Sequence, residues 1–406
     1  MRPPSPAQPA TLFWQTGNAG DPWWQRRPKL RGVNVGGWLV LEPWINTALF
    51  RAHPAVAGRD GLAGDPADSE YALCTRLGAA TAAAVLGAHR RNWLGAADFH
   101  AMAVAGLNAV RVPVGYWGVL PRGRRGRSTS SDPYVGPVWT HLDDALSWAA
   151  TARLGVLLDL HAHPGGQSGE AHAGRARGDR WTPDDWDVET ALDAVAALAG
   201  RYGAITAVDG SCSATPPALL GLSVVNEPDE HIPPDVLLAF YRRAYAAARA
   251  GGLRAETVAF GDNLVLDLHA YQCFGEGWAA ASLADILHTW EPGRGYAGGG
   301  NGSGGSGAGE RVSELAAVGR TLNRWVLASA WRRSWPPRAP VAAADAAARA
   351  FGRAQVTGMA AAGVEGWFFW TWKTDACAAE PWWDFQECLR RGWLDPEWWR
   401  SDAVQG

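Results

Sequence analysis

The segment that most restricts the fold of this chain is GLSVVNEP, residues 221–228. The run Leu219–Val225 is short, branched and uninterrupted, as in a strand buried on both faces. Asn226, Glu227 and Pro228 close it. A carboxylate after such a strand, between an amide and a turn-forming proline, is not a core residue. It belongs at the mouth of a parallel barrel, where catalytic groups collect. Two more apolar runs end similarly: Val156–His161 (VLLDLH) in a histidine, and Val265–Tyr271 (VLDLHAY) in a histidine and a tyrosine. Three buried strands with titratable ends predict one shared site.

The rest of the chain supplies the other layers. Further strands are expected at Arg31–Val35, Asn108–Val114, Thr257–Gly261, Arg311–Glu314 and Gly366–Trp372. Helices are expected at Leu77–Trp93, His141–Ala152, Asp235–Ala250 and Ala343–Ala362. Another is expected from Thr182-Pro183-Asp184-Asp185 to Arg201, since a hydroxyl, a proline and two acids suit a helix start. Strand and helix alternate about eight times, which predicts an α/β (β/α)8 TIM barrel, a single domain with loop insertions. The barrel is expected over 30–400, with a Gly-rich loop at 298–309 and a Pro-rich N-terminal arm, 1–29, packed by Trp14, Trp23 and Trp24.

With 406 residues, 47% of them hydrophobic, the chain can bury a large core. A net charge of −3 argues against nucleic acid and anionic membrane surfaces as main partners. Arg122, Arg124, Arg125 and Arg127 read as a solvated loop. No apolar run of about 18 residues occurs, so no membrane span is expected. The start, MRPPSPAQPATLFWQ, lacks the apolar core of a signal peptide, so the protein is either intracellular or has lost a leader. The five cysteines show no metal spacing, and Cys377 and Cys388 are a candidate pair. The chain carries 24 tryptophans, and most are expected to pack the core. The group Trp367, Trp370, Trp372, Trp382 and Trp383 is the best candidate for stacking on a sugar face.

Glycosidic bond hydrolysis needs two carboxyl groups, one protonated and one ionised. Glu227 has the setting for the acid, and Asn226 for a contact to a sugar 2-hydroxyl. Candidate partners are Glu276, Glu291, Glu310 and Glu314. Glu314 is preferred, because RVSELAAVG reads as a short branched strand ending near the mouth. Arg111, buried in a strand, needs a partner and would keep the nucleophilic carboxylate ionised, unless it forms a structural ion pair. His161, His269 and Tyr271 would donate hydrogen bonds that orient the carboxylates. His161 and His163 suggest a zinc pair, but no third ligand follows at suitable spacing, so no metal and no cofactor are expected.

Seven ordered segments carry a resemblance. RGVNVGGWLVLEPWI, LNAVRVPVGYW, SDPYVG, LLDLHAHPGGQSG, VVNEP, LHAYQCF and GWFFWTWKTD resemble glycoside hydrolase family 5, in its exo-β-1,3-glucanase branch. The resemblance runs from Arg31 to Trp399. It implies a (β/α)8 barrel and retaining release of glucose from the non-reducing end of β-1,3-glucan, by a monomer without cofactor, outside the cell or in its wall. It implies Glu227 as acid/base and Glu314 as nucleophile. Arg111, His161, Asn226, His269 and Tyr271 would surround the reacting sugar, with Trp370 beneath it. Glu42 would grip a terminal hydroxyl, and Phe274 and Trp383 would line the entrance.

Two places depart from the family pattern. Ser313-Glu314-Leu315 stands where the family has Gly-Glu-Trp, although Arg324-Trp325-Val326 supports the Glu314 register. Glu170-Ala171-His172 stands where the family has Phe-Asp-Asn. These departures leave open a transglycosylase, a β-1,6-glucanase or a glucosidase for another aglycone, and also a glucan-binding protein without catalysis.

Overall fold

The computed structural model describes residues 11–15, 29–54, 68–124, 132–203, 219–253, 264–269, 321–325, 341–361, 366–375 and 381–400. They form an α/β fold. Its strands are β1 Thr11–Gln15, β2 Leu30–Asn34, β3 Ala109–Gly115, β4 Gly155–Ala162, β5 Leu219–Ser223, β6 Leu264–His269, β7 Thr321–Trp325 and β8 Gly366–Phe369. They hydrogen-bond in a closed ring, in the order β1-β5-β4-β3-β2-β8-β7-β6. Every pair among β2 to β8 is parallel, whereas β1 runs antiparallel to β5 and β6.

Two strands differ from the sequence expectation. Residues 11–15, expected within an arm, are a sheet strand, for which the aromatic and branched TLFWQ is well suited. The strand between β6 and β8 is Thr321–Trp325. The expected strands Thr257–Gly261 and Arg311–Glu314, and the loop 298–309, lie outside the described residues.

Period-two alternation sorts the side chains into an outer and an inner set. Val110, Val112, Leu158 and Leu160 join the main core under the helices. Leu30, Ala109, Leu157, Leu220 and Phe368 form a separate cluster inside the ring. Gly32 makes room there: a Cβ on it would lie 2.3 Å from the Phe368 ring. One step further along the same inward faces come Asn34, Arg111 and Asp159. Asn34 is in register with Arg111, and Pro113 with Asp159. The interior is therefore apolar at one end and polar towards the C-terminal ends of the strands.

Four helices follow the expectation, three of them within two residues and the first with an added turn or two before Leu77. They are Glu70–Trp93, Trp139–Ala152, Pro234–Ala250 and Val341–Ala361. The stretch Glu70–Val104 is long and apolar enough to cross a membrane by length and composition. It is broken at Gly78 and split into two helices, and Leu73, Cys74, Ala82 and Leu86 are buried in one cluster with Leu41 and Phe50.

The helix expected to begin at Thr182 begins later. Thr182 and Asp185 cap only a short turn, Pro183–Asp185. The helix proper is Val188–Tyr202, capped by Asp187, whose side chain accepts from the Thr190 N–H. Trp186 between them is extended, and its indole donates to His163 Nδ1 at 2.9 Å. Placing that indole takes precedence over the local helix signal. The candidate disulfide is not formed: Cys388 is a buried free thiol, 3.4 Å from the Pro381 carbonyl.

Candidate active site

The polar end of the ring interior is built around Arg111, which is fully buried. Its Nη1 lies 2.9 Å from Asp159 Oδ2, and Asp159 is equally buried. The guanidinium also donates to Asn34 Oδ1 and to Asn226 Oδ1, each at 3.2 Å. Among the described residues its ion-pair partner is Asp159, while Glu314, beside which it was expected, lies outside them. An unpaired charge here would cost several kcal/mol, so the pair is stable only as a pair. Through Asn226 the network fixes which way the amide next to Glu227 faces.

Asp159 also receives His161, with Nδ1 to Oδ2 at 2.6 Å. These residues are two apart on β4 and therefore share a face. The His161 ring lies flat against Trp370, with centroids 5.5 Å apart and planes 4° apart. Its Nε2 stands 4.0 Å from Glu42 Oε1. The other Glu42 oxygen accepts from the Trp44 indole at 2.8 Å. Trp44 in turn meets Trp383 edge-on at 5.1 Å.

Glu227 follows β5 with a backbone φ of 45°, in the left-handed region that favours glycine. Such a conformation costs on the order of 1–3 kcal/mol and clusters at functional sites. It turns the side chain off the strand line. His269, at the end of β6, contacts Glu227 Oε1 through Nδ1. His172 Nε2 lies 3.5 Å from Oε2. The carboxyl group keeps 14% of its exposure, against none for Asp159.

The strand exits are tied to one another. Gln167 donates to the carbonyls of His161 and Asn226, at 2.8 and 2.7 Å, and accepts from the His163 N–H. Thr371, after β8, donates to the Asn34 carbonyl and accepts from the Gly36 N–H. His163 is not turned towards a metal: its Nε2 donates to the Val224 carbonyl at 3.0 Å and its Nδ1 accepts from Trp186. Burial lowers its pKa to about 4 and keeps it neutral.

The structure thus brings Glu42, Arg111, His161, Asn226, Glu227, His269, Trp370 and Trp383 into one connected set. Glu314, Tyr271 and Phe274 lie outside the described residues. Of the tryptophan group, Trp367, Trp372 and Trp382 pack against Trp399, Phe385 and Trp393 respectively, so they are core. Sequence reasoning gave no role to Asn34, Trp44, Asp159 and Gln167, and noted His172 only as a departure from the family pattern. Asp159 had a signal: a carboxylate two residues before a histidine on a buried strand needs a cation, and Arg111 lies on another such strand.

No family model matches the chain. It is 31% identical over 398 residues, covering 90% of this chain and 89% of the relative, to a probable glucan 1,3-beta-glucosidase A of Emericella nidulans. It is 29% identical over 412 residues, covering 92% and 90%, to a glucan 1,3-beta-glucosidase of Candida oleophila. Among solved structures, rutinosidase from Aspergillus niger superposes with a TM-score of 0.64 at 16% identity, over 91% of this chain and 99% of that one. That likeness concerns the fold. The sequence relationship carries the assignment: the chain belongs to the glucan 1,3-beta-glucosidase family of glycosidases.

Proposed function

We propose that the protein is a retaining exo-β-1,3-glucanase of glycoside hydrolase family 5, built on a (β/α)8 barrel and releasing glucose from non-reducing ends. The observation that carries this reading is the setting of Glu227. It stands at a strand exit with a histidine at each carboxyl oxygen, beside an amide fixed by a buried ion pair.

In the first step Glu314 attacks the anomeric carbon. Protonated Glu227 gives its proton to the departing glycosidic oxygen, and a glycosyl ester forms on Glu314. In the second step Glu227, now ionised, takes a proton from water. The resulting hydroxide equivalent displaces Glu314 and restores the starting state. Two inversions give net retention.

Asn226 donates to the 2-hydroxyl, a contact that strengthens as the ring becomes oxocarbenium-like. Trp370 offers its face beneath the sugar. Glu42 accepts from a terminal hydroxyl, and His161 with Arg111 keeps the floor rigid. Tyr271 donates a hydrogen bond that orients the carboxylates, while Phe274 and Trp383 line the entrance. The chemistry assigned to these side chains uses neither metal nor cofactor.

The test is glucose release from laminari-oligosaccharides, followed by NMR of the new anomeric centre. Wild type is expected to yield β-glucose first. Glu227→Gln and Glu314→Gln are each expected to lose at least about a hundredfold in kcat/KM. Undiminished turnover in either variant removes that residue from the mechanism, and an α-glucose product removes retention.

A further inference from the structure

We propose that His172 is a positioning residue for the acid/base Glu227, holding Oε2 as a hydrogen-bond donor and setting the pH at which that carboxyl group surrenders its proton. This inference rests on the assignment of Glu227 above.

The two oxygens of Glu227 have different neighbours. Oε1 faces His269 Nδ1, whereas Oε2 faces His172 Nε2 at 3.5 Å. With Oε1 engaged, Oε2 is the oxygen that carries the transferable proton. His172 therefore stands at the atom where acid catalysis takes place.

Its place is built rather than incidental. His172 sits in the short turn Ala171–Ala173. The carbonyl of Gly174 accepts from Tyr71 N–H at 3.0 Å, which fastens the turn to the helix Glu70–Trp93. On the other side, the Gly169 carbonyl accepts from the N–H groups of Arg177 and Gly178. The imidazole packs edge-on to His161 at 5.9 Å, and Ser168 Oγ is 3.5 Å from its Nε2. With 18% side-chain exposure, it shares the opening with Glu227.

The sign follows from elementary electrostatics. An N–H aimed at a carboxylate favours the ionised form. Removing it lets Glu227 keep its proton to higher pH, so the alkaline limb of the rate profile moves up. Among the described residues, the other titratable groups near His172 and Glu227 are His269, His161 with Asp159 behind it, Glu42 beyond His161, and the adjoining Glu170. They are identical in wild type and variant, so the difference isolates His172.

The experiment compares wild type, His172→Ala and His172→Asn on two substrates across pH. Laminaribiose has a poor leaving group that requires an acid. 2,4-Dinitrophenyl β-glucoside has a leaving group that departs unaided. For laminaribiose, the alkaline limb of kcat/KM is expected to rise by about one pH unit in His172→Ala. His172→Asn, which keeps an N–H donor, is expected to shift less. For the aryl glucoside, kcat/KM is expected to change less than about twofold in either variant, since proton donation contributes little there.

An unmoved alkaline limb in both variants overturns the proposal. So does an equal fall on both substrates, which would make His172 a sugar contact or a structural residue. Glu227→Gln, run in parallel, separates the two readings. If it loses laminaribiose turnover and keeps the aryl glucoside, the acid/base assignment stands and the His172 result is judged alone. If it keeps laminaribiose turnover, the assignment and this inference fall together.

Discussion

The floor and the rim of this pocket use the same kinds of residue in opposite ways. On the floor, Arg111 and Asp159 are completely buried and meet at 2.9 Å. On the rim, Glu227 and His172 keep 14% and 18% exposure and meet at 3.5 Å. Two charges removed from water and locked together hold each other in one ionisation state, because either alone would be stranded. A carboxyl group that still reaches the opening, beside imidazoles rather than a guanidinium, has no such lock. The floor therefore supplies geometry, and the rim supplies protons.

The largest effect should come from the rim, and it should be kinetic. Glu227→Gln is expected to lose about 10²–10⁴ in kcat/KM on laminari-oligosaccharides, the range for a positioned general acid. Its thermal midpoint should stay close to that of wild type, or rise, because the substitution keeps the side chain's shape and removes only a charge from a mostly buried site. A variant that lost stability along with activity would put Glu227 on the floor and end the distinction.

The floor should respond in the other currency. Arg111→Met leaves Asp159 buried without its cation, and is expected to cost about 3–5 kcal/mol in urea unfolding. Activity should fall too, since Asn226 and His161 both hang on this pair. An Arg111→Met protein as stable as wild type would mean that water or another cation reaches Asp159.

Acid should separate the two regions again. His163, behind the rim, donates to Val224 and accepts from Trp186, so a second ring proton would face the indole N–H. Its pKa is about 4 in the folded protein, against an ordinary value of 6.5, because burial disfavours the charged ring. The unfolded chain therefore takes up this proton first. The stabilisation is complete above pH 6.5 and drains away as the pH falls towards 4, by about 3 kcal/mol. His89, also lowered to about 4 by burial, acts in the same direction. Glu70, raised to about 7 by burial, acts oppositely between 4.5 and 7 and offsets one of the two. Melting temperature measured from pH 7 to pH 4 should fall for wild type and fall less steeply for His163→Gln. Equal slopes would show that His163 protonates without consequence.

How much of this was legible in the sequence depends on the range of the interaction. VLLDLH and VVNEP announced buried strands with titratable ends, since period and end chemistry are local properties of the chain. The strand Thr11–Gln15 was missed because its partners are more than two hundred residues away. The helix expected at Thr182 had a sound local signal, but the indole of Trp186 was claimed by His163 across the fold. Arg111 was rightly read as needing a partner. Which partner it has follows from the register of β3 against β4, and no local pattern encodes that register.

The smallest expected effect lies at the outer edge of the rim, where neither charge nor proton is at stake. Trp383 meets Trp44 edge-on at 5.1 Å, and the Trp44 indole donates to Glu42. An aromatic pair of this kind is worth about 0.5–1.5 kcal/mol beyond its area. If the pair forms an entrance wall, Trp383→Ala should raise KM for laminaritetraose several-fold and leave kcat nearly unchanged. It should also barely alter KM for an aryl glucoside, which fills fewer positions. Trp44→Phe keeps a ring against Trp383 but removes the N–H from Glu42, so it should weaken short and long substrates alike. The two substitutions combined then test whether the wall and the grip on Glu42 are separate: additive effects on KM mean that they are, and strong coupling means that Trp383 acts by seating Trp44.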